Sequence, residues 1–318
     1  MKGVWLQPLL LPAERNAFIL TYKMLASRRY RLLREGVRGL GGARGDARQV
    51  QLLREQGDIR YPTPIEDFLD FLTDAELSPK GEAASPKADQ VGAGAALFGR
   101  GGPTKRLTGS QPSSEFERLA AQLEQGVQGG QELFYQTTQL GGGELRVKLD
   151  DKRSLDLYNA SSSIKQLAPL LLYLRHRAAE GDLLVIDEPE MNLHPEGQAR
   201  LLEVLAMLAN LGVYVLVTTH SPYILAHLNN LTASTTKLKP ARERQAEHLY
   251  LRDRRALLRA DRVSAYEAGN GTLRDLHDPD FGIRWDTLSD VSAELQQKFF
   301  AIREQEGETG RGRAKKKA

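Results

Sequence analysis

Apolar residues along this chain fall into three kinds of spacing, and each predicts a different element. From 13 to 56, in "AERNAFILTYKMLASRRYRLLRE" and beyond, they recur at helical intervals among many arginines, with a break at "GLGGARGD". Pro62 and Pro64 frame the entry to a short helical segment, "IEDFLDFL". Residues 78–113 are poor in apolar positions and rich in Gly, Pro, Ser and Ala, which predicts a linker or surface insertion. "SSEFERLAAQLEQG" is helical again, and "QELFYQTTQL", "GELRVKLD" and "RSLDLYNA" alternate as strands of an antiparallel hairpin or meander.

From 161 the pattern changes. "SSSIKQLAPLLLYLRHRAAEG" opens with serines able to cap a helix and closes with Gly181. Ile164, Leu167, Leu171, Leu174 and Ala178 form one stripe, and Pro169 is expected to kink it. "DLLVID" and "VYVLVTTH" read as buried strands on either side of a helix with Pro195 in its first turn and Gly212 past its end. Strand, crossover helix, strand predicts parallel pairing in a sheet covered on both faces. Ligands of such sheets bind at the carboxyl ends of the strands, where Asp187, Glu188 and His220 fall. Ser221 and Pro222 start a further helix, "EHLYLRD" and "RVSAYEAG" read as two more strands, and "DTLSDVSAELQQKFFAIREQ" closes as a helix. No internal repeat is present.

Composition narrows the classes. A chain of 318 residues with 41% hydrophobic content can form one large α/β domain or two smaller ones. It has no cysteine, which excludes disulfides and thiolate metal sites and fits a cytoplasmic protein. The run at the N-terminus is broken by Gln7, Pro8 and Pro12, so it reads as an extended segment leading into a helix and not as an export signal. Leu167–Leu174 is too short to span a bilayer, so no membrane partner is expected. The net charge is only +3, but the tail "RGRAKKKA" is strongly basic, a solvated tail or a nucleic-acid contact. The expected division is 1–77, a helical part of an N-terminal lobe; 78–113, the linker; 114–300, the core; and 301–318, a basic disordered tail.

"LLVIDEPEMNLHPE" carries the chemistry. An apolar strand ending in two acids suits a site where the first holds hydrated Mg²⁺ between phosphates and the second polarises an attacking water. The plainer alternative is a strand that stops at a polar turn. His220, at the end of the next strand, could donate to a phosphate oxygen or be a turn residue before "SP".

"LLVIDEPEMNLHPE", "VLVTTHSPYIL" and "NASSSIKQL" together resemble the ABC-type ATPase core in its RecF-, SMC- and OLD-like branch, nearest to the AAA-type ATPases of bacterial defence and DNA-repair loci. The likeness covers roughly 115–290, and "LPAER" at 11–15 is also similar to that group. It implies an α/β, P-loop NTPase-like core with a mostly parallel sheet and an antiparallel meander. It further implies ATP and Mg²⁺ as cofactors, with Asp187 on the metal, Glu188 as catalytic base and His220 as the switch histidine. Asn192 and His194 would stand in the loop that crosses a dimer interface. Ser161, Ser162 and Ser163 lie where the signature would bind the γ-phosphate of the other subunit, although an ordinary helix cap explains those serines equally well. Ser163 replaces the signature's usual glycine.

A phosphate loop needs G-x-x-x-x-G-K-[ST], and no Gly-Lys pair occurs in the chain. "GAGAALFGRGGPTKR" lacks a flanking strand and helix and reads as linker. The expectation is a chain beginning after the phosphate-loop unit, because the start lies upstream, because the gene is truncated, or because the chain acts in trans. Arg15 reads as a former phosphate or lobe contact, or as an exposed helix-start arginine. Three functions follow: an ATPase whose ATP-driven dimerisation, as a homodimer or with a partner ATPase, controls an effector; a non-hydrolysing scaffold acting with a partner ATPase; or a DNA- or RNA-binding protein using "RRYRLLRE" and "RDRRALLRADR".

Overall fold

A computed structural model of the chain describes residues 8–25, 62–77, 114–137, 143–150, 152–233, 239–278, 282–284 and 294–300. The expected linker 78–113, the basic tail and most of the arginine-rich stretch lie outside them. The chain forms two compact units, Met1–Thr218 and Thr219–Ala318.

The first unit is built on a parallel sheet. Strand β1 (Pro8–Leu11) pairs with β5 (Leu183–Asp187), which pairs with β6 (Tyr214–Thr218), all parallel, with Leu9 opposite Leu184 and Ile186 opposite Val217. Helix α1 covers 15–25 and α2 runs Thr63–Leu77; α3 is Ser114–Val127. Strands β2 (Glu132–Thr137), β3 (Gly143–Lys148) and β4 (Ser154–Asp156) form the expected antiparallel meander. Helix α4 (Ser162–His176) and α5 (Pro195–Asn210) complete the unit.

Local signals explain the helix starts. Ser161 caps α4 by accepting from the Ile164 N–H, and His194 caps α5 through Nδ1, with Pro195 in the first turn. Helix α4 ends at His176, well before Gly181, which sits at φ +89° in the turn into β5. It runs continuously through Pro169, because Ile164 and the unbroken run Gln166–Leu174 are all buried around it. Packing here outweighs the lost backbone bond.

The sheet departs from the sequence reading in one respect. Leu9, Leu11, Leu184 and Ile186 point into a core with α2 and α5 and are buried. The other face carries Pro8, Leu10, Leu183, Val185, Tyr214 and Leu216, and Tyr214 and Leu216 are 59% and 56% exposed. Neither β5 nor β6 is the fully buried strand expected from its composition. Parallel strands read as continuous apolar runs when both faces are covered, and here one side is coated.

In the second unit, Ser221 caps α6 (Pro222–Thr232) through the Tyr223 and Ile224 N–H groups. The Asn229 side chain clamps Ile283, donating to its carbonyl at 2.8 Å and accepting from its N–H at 2.7 Å. That holds the short pair β9 (His277–Asp278) and β10 (Gly282–Ile283) against α6. Helix α7 (Lys239–Ala246) ends in turns, so "EHLYLRD" is not a strand: Leu249 donates to Ala246 O, and Arg252 adopts φ +52°, which interrupts an extended run. Only the second half of "RVSAYEAG" is strand. β7 (Tyr266–Gly269) makes a hairpin with β8 (Thr272–Asp275) through Asn270–Gly271, both at positive φ. Residues 294–300 are helical (α8). No described helix is long and apolar enough to cross a membrane.

Candidate functional site

Strand β5 delivers Asp187 and Glu188, half-buried, to its carboxyl end. The chain leaves the strand abruptly there. Glu188 has φ +44°, a left-handed conformation that strains a side chain with a Cβ by about 1–3 kcal/mol and is kept only where the surroundings over-determine it. Its N–H donates to Thr218 O at 3.1 Å and to Thr218 Oγ1 at 3.3 Å, and the Thr218 hydroxyl donates to Asp187 Oδ1. One β6 residue therefore orients the first carboxylate and anchors the backbone of the second. Sequence reasoning passed over Thr218; its signal was the pair of threonines before His220.

Beyond Glu188 the turn is fixed by Met191 N–H to Glu188 O and Leu193 N–H to Glu190 O. Asn192 takes φ +64°, which asparagine tolerates, and stands exposed. His194, also exposed, is held as the α5 cap at 3.4 Å from the Glu196 N–H. Asn192 and His194 thus share one outward turn with the acids behind them.

Ser161 and Ser162 are exposed at the start of α4 and Ser163 is half-buried. Ser161 Oγ lies 2.8 Å from Ser163 Oγ and accepts from Ile164 N–H at 3.3 Å. The cap reading is thus realised for Ser161, while Ser162 is left at the open helix end. His220 belongs to the second unit, two residues past β6 in the chain.

Arg15 changes most from its sequence reading. It is not an exposed arginine: only 2% of it reaches solvent. Its guanidinium donates to Asp187 O at 2.7 Å, Glu188 O at 3.1 Å, Pro189 O at 3.2 Å, Pro12 O at 3.0 Å and, through Nε, Gln166 O at 2.9 Å. Gln166 returns the link by donating to Ala13 O at 3.0 Å. Burial lowers the Arg15 pKa to about 10, opposed by the charges of Glu190, Asp187 and Glu188, so the group stays protonated at neutral pH.

The donor set decides which metal could sit here. Among the described residues no group of three or more His, Asp or Glu is placed to hold an ion. One half-buried strand-end carboxylate is the kind of donor Mg²⁺ uses, since that ion keeps several waters and binds through one or two carboxylates plus a substrate phosphate. It does not match zinc, which needs three or four protein ligands.

A family model described as "AAA domain, putative AbiEii toxin, Type IV TA system" matches residues 51–226. That range contains the serines, both acids, Asn192, His194 and His220, and leaves out Arg15. No curated protein matches the chain. Among solved structures, one from work on ATP-driven dimerization and DNA-stimulated activation of SMC ATPases has 12% identity and a TM-score of 0.34, covering 58% of this chain and 91% of that one. A SmcHead bound to the C-winged helix domain of ScpA has 18% identity and a TM-score of 0.30, covering 37% and 36%. A Smc head domain bound to the C-terminal domain of ScpA, derived from Pyrococcus furiosus, has 14% identity and a TM-score of 0.29, covering 68% and 44%. The chain spans under half of the last two, and likenesses at these scores do not extend to function.

Proposed function

The chain belongs to the AAA-domain family of P-loop ATPases, and from that premise we propose that it is the acid-bearing part of an ABC-like ATPase that binds and hydrolyses ATP with Mg²⁺. The observation that carries this reading is the end of β5: Asp187 oriented by the Thr218 hydroxyl, followed by Glu188 in a strained left-handed turn. Strain of that kind persists where a side chain must be aimed.

In this reading Asp187 holds the metal. When bound there, Mg²⁺ would supply positive charge to offset that developing on the phosphates. Glu188 takes a proton from a water whose oxygen attacks the terminal phosphorus, the bond to the ADP oxygen breaking in line. The likeness to the ABC-type core implies the switch-histidine role for His220. The open start of α4, with Ser161, Ser162 and Ser163, presents N–H groups and hydroxyls to the phosphate of a second ATPase subunit, and Asn192 and His194 lie along that same contact. Residues 114–300 form this half of the core and 1–77 the remainder of the N-terminal lobe. No Gly-Lys pair stands in these 318 residues, and a partner ATPase is the proposed source of the phosphate cradle. ATP-dependent dimerisation would then control a defence or DNA-repair effector.

Glu188→Gln tests this in the ATP-binding assembly. The variant should lose phosphate release by about 10²-fold or more while its ATP-bound dimer lasts longer in light scattering, because metal binding survives. Normal turnover by Glu188→Gln would remove Glu188 from the mechanism. Failure of any assembly containing this chain to bind ATP would leave the scaffold reading in its place.

A further inference from the structure

We propose that Arg15 is a positioning residue that holds Glu188 in its left-handed conformation and ties that turn to the start of α4. Three successive carbonyls, of Asp187, Glu188 and Pro189, converge on its guanidinium. Carbonyls alternate in direction along a strand, so three in a row can meet one group only if the chain curls around it. That curl is the left-handed step at Glu188. The fork of five N–H donors suits this geometry, and a lysine ammonium, three donors at one point, does not. The charge sits against Glu190, Asp187 and Glu188, which favours it at this place.

The second half of the inference comes from the remaining bonds. Nε donates to Gln166 O, and the Gln166 amide donates to Ala13 O, so α4 and the "LPAER" segment grip each other reciprocally, one turn below Ser162 and Ser163. A shift of the serine-bearing helix end is therefore passed through Arg15 to the backbone of Glu188. The bearing of this link on turnover rests on the reading of Glu188 above; the positioning does not.

Hydrogen exchange by mass spectrometry on the full chain tests it without nucleotide. In Arg15→Ala, amides of Glu188, Met191 and Leu193 should exchange about tenfold faster or more, as charge-assisted bonds are lost, while the β2–β3 meander is unchanged. Arg15→Lys should show the same local pattern, and serves alone if Arg15→Ala does not fold. The strain argument has its own readout in denaturation midpoints. Arg15→Ala should shift the midpoint less in a Glu188→Gly background, where positive φ is free, than in a Glu188→Ala background, which removes the same charge and keeps the Cβ. Acceleration spread evenly over the unit, wild-type exchange in Arg15→Lys, or equal shifts in the two backgrounds would each overturn the inference. Because no readout involves ATP, failure here is distinct from failure of the catalytic reading.

Discussion

Replacing Arg175 with methionine should be one of the most damaging single changes in the first unit. Arg175, in the last turn of α4, donates to Glu124 Oε2 at 2.7 Å and to Leu133 O at 2.5 Å, while Glu124 Oε1 accepts from the Leu133 N–H at 2.9 Å. The two side chains are 16% and 7% exposed, so α3, β2 and α4 are pinned by a charge pair largely out of water. Breaking such a pair from one side costs about 3–5 kcal/mol, and the orphaned Leu133 carbonyl adds about 1 kcal/mol. That approaches the whole stability of a marginal domain. Burial, outweighing Arg175, raises the Glu124 pKa above its ordinary value of about 4.5. The native state therefore binds the extra proton, and this group's contribution is greatest at and below about pH 4.5 and declines as pH rises through the raised value. Arg175→Met can escape part of its cost by protonating Glu124, so its deficit should be smaller at pH 5 than at pH 7. Urea unfolding of the full chain, followed by far-UV circular dichroism, measures both. In Glu124→Gln the fall with pH should vanish, and the double variant should be at least about 1.5 kcal/mol more stable than the sum of the singles. A loss below about 1 kcal/mol for Arg175→Met, or additivity of the pair, would refute the pinning argument.

Two further outcomes follow from the same assay. Ser161→Ala should lower stability by about 1 kcal/mol through loss of the α4 cap; no change would show that the Ile164 N–H finds another partner. Tyr214→Ser and Leu216→Ser should each change stability by less than about 0.5 kcal/mol, since both side chains already face water. A loss above about 1.5 kcal/mol would mean that something covers this face in solution.

The parts legible in the sequence were those fixed by neighbours in the chain. Ser161 and Ser221 announced their helices because a cap bonds two or three residues ahead. The parallel pairing of β5 and β6 followed from a helix of crossover length between two apolar runs. Arg15 was misread because four of its five carbonyl partners lie 151–174 residues away, a relation no local pattern encodes. The exposure of Tyr214 and Leu216 was invisible for a related reason: an apolar run states what a strand can bury, while the packing decides which side is covered. "EHLYLRD" failed on a backbone angle, the positive φ of Arg252, which strand-like alternation did not foresee.

The one-sided coat of the β1–β5–β6 sheet has a practical side. A folded molecule that presents Leu10, Leu183, Val185, Tyr214 and Leu216 together offers a solvatochromic dye the kind of surface it meets in denatured protein. Its baseline fluorescence should be bright at room temperature. Dye-based melting curves of this chain would then start high and lose contrast, and a fall in that baseline on adding a candidate binding partner would give a direct screen for whatever seats itself on the sheet.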